Sequence, residues 1–104
     1  MPPKANNQEG SSRNRFRNRV LAIVAQISKG ATLTYGEVAK RAGKPQAARA
    51  VGSILHTNFD PAIPCHRVVR ADGTLGGYNR GSREKKRLLL AEGVKIGSLP
   101  KHVV

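Results

Sequence analysis

Apolar residues return at Phe16, Val20, Ile23, Val24 and Ile27, and Arg13, Arg15, Arg17 and Arg19 are interleaved with the first of them. That spacing gathers the apolar set on one face and predicts an amphipathic first helix ending near Gly30. Thr34 is followed three residues on by Glu37, a pairing in which each side chain satisfies the other's backbone N–H at a helix start. A short helix is therefore expected to about Ala42, with Gly43 placed to stop it. Pro45 suits the first turn of a further helix through Gln46 and on to His56, and two helices joined by a short Gly-containing turn make a helix-turn-helix.

Pro61 and Pro64 interrupt any helix between Asn58 and Cys65. Val68, Val69 and Arg70 read as a strand, Ala71 to Thr74 as a turn and Leu75 as the return strand of a small hairpin. Gly76 to Gly81 reads as a flexible loop. Ser82 is a candidate cap for a last helix carrying Leu88, Leu89 and Leu90 and closed by Gly93. Residues 1–12, rich in Pro, Asn, Gln, Gly and Ser, are expected to be a mobile arm, residues 13–96 a single domain and residues 97–104 a tail. The fold expected is mainly α with a small β-hairpin.

A chain of 104 residues supports one modest core, and without tryptophan that core must be aliphatic. A single cysteine excludes an internal disulfide framework and, with three dispersed histidines, argues against a metal site; an intracellular, reducing compartment is expected. Lys and Arg number 19 against six acidic residues, a formal charge of +13 spread along the chain. Such a density is a footprint for polyanions, through counterion release, and nucleic acid is the partner class it favours over a plain solvated surface. No segment combines a wide apolar face with clustered basic residues and bulky anchors, and no apolar run is long enough for a membrane span or signal peptide, so no membrane partner is expected.

The chemistry concentrates at Pro64-Cys65-His66-Arg67-Val68. A lone cysteine is most simply a small buried hydrophobe. Here an imidazole follows directly and Arg67 adds positive charge, the surroundings that lower a thiol pKa and can receive its proton. In the helix Gln46–His56, Ala47, Ala48, Ala50 and Gly52 surround a single Arg49. The alanines could simply raise helix propensity; alternatively they let the helix approach another surface while one long cation projects beyond them. Glu92, in the last helical turn, meets the negative end of the helix dipole and needs a partner, either a surface Lys or Arg or a histidine that it orients.

Taken together, the alanine-flanked Arg49, the Pro-Cys-His-Arg-Val motif, Gly76-Gly77-Tyr78 and the segment Leu88 to Glu92-Gly93 resemble the O6-alkylguanine-DNA alkyltransferase family over roughly Val20 to Gly93. The resemblance implies a winged helix-turn-helix-like DNA-binding domain of the alkyltransferase type. It implies that Cys65 accepts the alkyl group from guanine O6, once per molecule; that His66 takes the thiol proton through a water; and that Glu92 orients His66. Tyr35 would act on the flipped nucleotide's phosphate and on the ring during proton transfer. Arg49 would fill the vacated place in the base stack, with Ala48, Ala50 and Gly52 letting the helix into the minor groove. Asn58, Val68, Tyr78 and Asn79 would line or support the base site. The implied partner is double-stranded DNA containing O6-alkylguanine, bound by a monomer without a cofactor or metal.

Three features depart from the family pattern. A separate N-terminal domain, usual in the family, is not expected in this chain. The Asn58–Cys65 interval is about one residue short, and residue 79 is Asn where several members have serine. Alkyltransferase-like proteins, small single domains that bind alkylated guanine without transferring the alkyl group and often carry tryptophan in place of the cysteine, are the rival expectation.

Overall fold

The computed structural model describes residues 12–72 and 74–95, so the expected arm, apart from Ser12, and the expected tail lie outside the described residues. The first helix, α1, spans Ser12–Ala25 and buries Phe16, Val20 and Val24; Ile27 is buried just beyond it. It ends earlier than Gly30 because the next amides turn back to carbonyls three residues away, Gln26 to Ile23 and Ile27 to Val24. Gly30 then reverses the chain at φ 88°, where a Cβ would press on the Glu92 carbonyl oxygen at 3.3 Å. The far end of the molecule is thus packed directly against this turn.

Strand β1, Leu33–Thr34, leads into α2, Tyr35–Arg41. The expected reciprocal cap is present: Thr34 Oγ1 accepts from the Glu37 N–H at 3.0 Å, and Glu37 Oε1 accepts from the Thr34 N–H at 2.7 Å. Gly43, at φ 94°, closes α2 with Lys44 N–H bonded to the Ala39 carbonyl and Gly43 N–H to the Lys40 carbonyl, a Schellman arrangement. Helix α3 spans Ala48–His56 rather than starting at Gln46. Pro45 lies in the turn before it, which closes through Ala47 N–H to the Lys44 carbonyl, and Ala47 offers no side chain to cap an earlier start. Val51 and Leu55 of α3 pack with Val38, Ala39 and Ala42 against α1, completing the helix-turn-helix core.

The hairpin expected at residues 68–75 is replaced by a different pairing. The turn does form, with Arg70 N–H bonded to the Thr74 carbonyl and Asp72 Oδ1 accepting from Thr74, but Leu75 is not a strand. Strand β2, Val68–Val69, instead pairs in parallel with β1, Leu33 opposite Val68 and Thr34 opposite Val69. The reason is burial. Both valines are 0 % exposed, Val68 in the helix-turn-helix core and Val69 in a second cluster with Leu89 and Val94. A strand covered on both faces sits inside the fold, whereas a wing hairpin would expose alternate residues.

The last helix, α4, spans Ser82–Ala91. Gly81, at φ 99°, is its N-cap, so Ser82 is a helical residue and not the cap. Its buried stripe is Lys85 and Leu89, with Leu88 half-buried and Leu90 50 % exposed. A second Schellman closure, Val94 N–H to the Leu89 carbonyl and Gly93 N–H to the Leu90 carbonyl, leaves Glu92 as the C-cap residue. Among the described residues the architecture is mainly helical, four α-helices with one two-stranded parallel sheet, and no described helix is long and apolar enough to cross a membrane.

Candidate functional site

Cys65 opens a single 3-10 turn, Cys65–Arg67, immediately before β2. Pro64 cannot donate a backbone N–H, and the turn is closed from Arg67 N–H to the Pro64 carbonyl. The thiol is buried at 8 % exposure and stands between two cavities. One, of about 800 Å³, is bounded by Tyr35, Arg49, Gly52 and Tyr78; the other, of about 350 Å³, reaches His66, Arg67 and Glu92. Cys65 Sγ accepts a hydrogen bond from Asn58 Nδ2 at 3.3 Å.

The balance at the thiol differs from the expectation that its neighbours lower its pKa. Burial pushes the Cys65 pKa up, and the Asn58 hydrogen bond and the charges of Lys85 and Arg80 offset only part of that rise. The resting group is therefore a thiol, and it can react as a nucleophile only where its proton is taken during the encounter.

His66 and Glu92 line the smaller cavity together with Cys65. His66 Nε2 lies 2.9 Å from Glu92 Oε2. The same carboxylate receives both arms of Arg67, Nε to Oε1 at 2.9 Å and Nη2 to Oε2 at 2.7 Å. Glu92 thus pairs with a histidine and also with an arginine, which is largely buried rather than on the surface. Arg67 holds the Glu92 carboxyl down at about 2, with His66 adding to the effect, so it is an anion at any working pH. Arg67 also donates through Nη1 to the Ile27 carbonyl at 2.7 Å, fastening the end of α1 to the cap of α4.

Tyr35 lies at the start of α2 on the larger cavity, with its hydroxyl 3.4 Å from the Gly77 carbonyl and 3.4 Å from Lys85 Nζ; burial raises its pKa. Gly52 faces the Tyr35 ring, where a Cβ would make ordinary contact at 3.9 Å. Gly76 is a stricter case: its φ is 80° and a Cβ would stand 2.9 Å from the Tyr35 hydroxyl. Arg49 is exposed at the rim of this cavity beside half-buried Ala48, while Ala50 is exposed away from its lining. Tyr78 meets His66 edge to face with ring centroids 6.3 Å apart. Asn79 borders both cavities, and the Val68 side chain lies wholly in the core.

Two participants escaped the sequence reasoning. Lys85 is completely buried and donates to the Val68 carbonyl at 2.7 Å and the Gly77 carbonyl at 3.1 Å; burial lowers its pKa to about 8. A lysine on the apolar face of α4, four residues before Leu89, was the available signal. Arg67 was visible only as a positive charge, because its partner lies 25 residues away.

The sequence from residue 15 to 94 matches the model of the 6-O-methylguanine DNA methyltransferase DNA-binding domain. The chain belongs to this family. It is 50 % identical over 82 residues to the methylated-DNA–protein-cysteine methyltransferase of Methanothermobacter thermautotrophicus, covering 78 % of this chain and 46 % of that protein. With the mouse protein of the same name the identity is 46 % over 85 residues, covering 79 % and 40 %. The chain thus spans less than half the length of these curated relatives.

Among solved structures, Mycobacterium tuberculosis OGT in complex with DNA superposes with a TM-score of 0.72 at 43 % identity, covering 75 % of this chain and 48 % of that one. S. pombe Atl1, in complex with damaged DNA containing O6-carboxymethylguanine, superposes with a TM-score of 0.73 at 33 % identity, covering 79 % of both chains. The family match from residue 15 to 94 spans nearly all of the described residues.

Proposed function

We propose that this protein repairs DNA by taking an alkyl group from guanine O6 onto Cys65, once per molecule. The observation that carries this reading is a thiol on the wall of a cavity about 800 Å³ in volume, with an adjoining His66–Glu92–Arg67 array. An O6-alkylguanine inside a duplex is out of reach of such a thiol, so the nucleotide must be extruded at a cost of a few kcal/mol. Arg49 at the cavity rim is suited to enter the stack as the base leaves, with Ala48 and Gly52 permitting close approach and the +13 charge supplying phosphate contacts.

In the reaction the Cys65 S–H proton passes to His66 through a water, and Glu92 stabilises the imidazolium formed. The sulfur lone pair attacks the alkyl carbon in line with O6. A C–S bond forms, the C–O6 bond breaks, and its electron pair moves into the guanine ring. The ring takes a proton from the Tyr35 hydroxyl, which is restored from solvent while His66 releases its own proton, so the products are a thioether and ordinary guanine. Burial raises the pKa of both Cys65 and Tyr35, so both groups are protonated at rest and each proton has to move within the encounter.

The likeness to Atl1 over 79 % of both chains, together with the buried resting thiol, favours a second reading, a lesion-binding protein that transfers nothing. Intact-mass measurement after incubation with an oligonucleotide containing O6-methylguanine separates the two. Alkyl transfer adds one methyl group, located on Cys65 and missing from Cys65→Ser. Tight binding without a mass change on prolonged incubation establishes the sensor instead. In the same assay Arg49→Ala should slow transfer from duplex DNA more than transfer from the free O6-alkylguanine base, which needs no extrusion.

A further inference from the structure

The loop between β2 and α4 is bordered by Gly76 and Gly81, at φ 80° and 99°, backbone conformations that glycine adopts without strain. It is held down at separate points. The Gly77 carbonyl is gripped by Lys85 Nζ and the Tyr35 hydroxyl. Arg80 Nη2 donates to the Phe59 carbonyl at 3.2 Å. Between them Asn79 Nδ2 donates to the Asn58 carbonyl at 2.7 Å and to the His56 carbonyl at 3.1 Å, just where α3 ends. An amide nitrogen carries two hydrogens, so both are committed to this backbone and neither is left for a base in the cavity.

Asn58, the residue gripped through its carbonyl, is also the residue whose own amide reaches Cys65 Sγ at 3.3 Å. A continuous series of hydrogen bonds therefore runs from the loop through Asn79 and Asn58 to the sulfur. We propose that Asn79 is a positioning residue, a clasp that ties the Gly76–Gly81 loop to Asn58 and so fixes the Asn58 amide against the Cys65 thiol. Its amide hydrogens thereby serve the placement of the nucleophile rather than the base.

An N–H donated to sulfur favours the thiolate over the thiol, so loosening the clasp leaves burial less opposed. The other charged and titratable groups around the thiol are Tyr35 on α2, Lys85 on α4, Arg80 on the loop, and His66 with the Glu92–Arg67 pair behind it. A substitution at residue 79 changes the charge of none of them, and Arg80, on the loop itself, keeps its own bond to the Phe59 carbonyl.

The inference rests on the reading of Cys65 as an acceptor, but its test is separable from it. Cys65 is the single cysteine, so iodoacetamide labelling of the full chain reports this thiol alone. Rates would be followed against pH for the unaltered protein, Asn79→Ala, Asn58→Ala and the double variant. Asn79→Ala should react roughly 3- to 10-fold more slowly at neutral pH, the range for losing one hydrogen bond of ordinary net strength, with its profile displaced upward. Asn58→Ala should show the same displacement, and the double variant no more than either alone.

Asn79→Ser, which keeps one donor, should fall between the unaltered protein and Asn79→Ala, and it serves alone if Asn79→Ala does not fold. An unshifted profile in whichever of these variants folds, or shifts that add in full to that of Asn58→Ala, overturns the clasp. Methyl transfer by the unaltered protein alongside an unshifted variant profile would sink the clasp and leave the repair reading standing. Absent transfer with the expected shifts would do the reverse.

Discussion

Replacing Glu92 by glutamine removes the one negative charge shared by Arg67 and His66 and preserves the side-chain shape. The Glu92 carboxyl is held at about 2 against an ordinary 4.5. At ~1.4 kcal/mol per unit, the pairing contributes roughly 3–4 kcal/mol as an upper bound. Glutamine keeps one acceptor for Arg67, but the Arg67 side chain is only 15 % exposed and retains its charge without a counter-charge. A loss of ~2–3 kcal/mol at neutral pH is expected, or about 10–20 °C in the unfolding midpoint of a domain this size.

The pH dependence has a definite sign. Because the folded-state pKa is depressed, the stabilisation is complete above the unfolded value and is lost as pH falls through about 4.5 toward 2. Urea unfolding of both proteins followed by circular dichroism, from neutral pH down to about pH 2, should show a gap that closes across this interval. A Glu92→Gln protein within ~0.5 kcal/mol of the unaltered one at neutral pH, or a gap that persists undiminished at the acid end, would refute the assignment.

Lys85 gives the opposite trend: its pKa is lowered from 10.5 to about 8, so between those values the unfolded chain holds a proton that the folded one lacks and stability rises with pH. In urea titrations between about pH 8 and 9.5, below the tyrosine range, the stability of the unaltered protein relative to Lys85→Met should rise by ~1–2 kcal/mol, a comparison that removes the opposite contribution of Cys65, whose pKa burial raises; parallel curves for the two proteins would contradict the buried charge. Gly76→Ala forces a side chain into a φ of 80° and a 2.9 Å approach to the Tyr35 hydroxyl. A destabilisation of about 2 kcal/mol is expected by thermal denaturation, and an unchanged midpoint would show that Tyr35 moves aside without cost.

What the amino-acid order determined by itself was everything settled within a few residues. The Thr34–Glu37 cap, the closures at Gly43 and Gly93, the buried face of α1 and the Pro64–Val68 motif all depend on neighbours in sequence, where spacing and side-chain type are sufficient. Starts without a strong local cap were misjudged: α3 begins two residues after Gln46, and Gly81 rather than Ser82 opens α4.

Only the tertiary structure decided the rest. Val68 and Val69 satisfy a local hairpin pattern as well as a buried strand; covering them from both sides selects the parallel partner at Leu33–Thr34. Lys85 reads as a solvated helix charge until Val68, Gly77 and Tyr35 enclose it. The Arg67–Glu92 pair spans 25 residues and the Asn79–Asn58 bond 21, so neither is fixed until the chain has closed over Cys65. Local hydrogen bonds are dictated by covalent neighbourhood, whereas burial and the partner of a charge exist only once distant segments share a core.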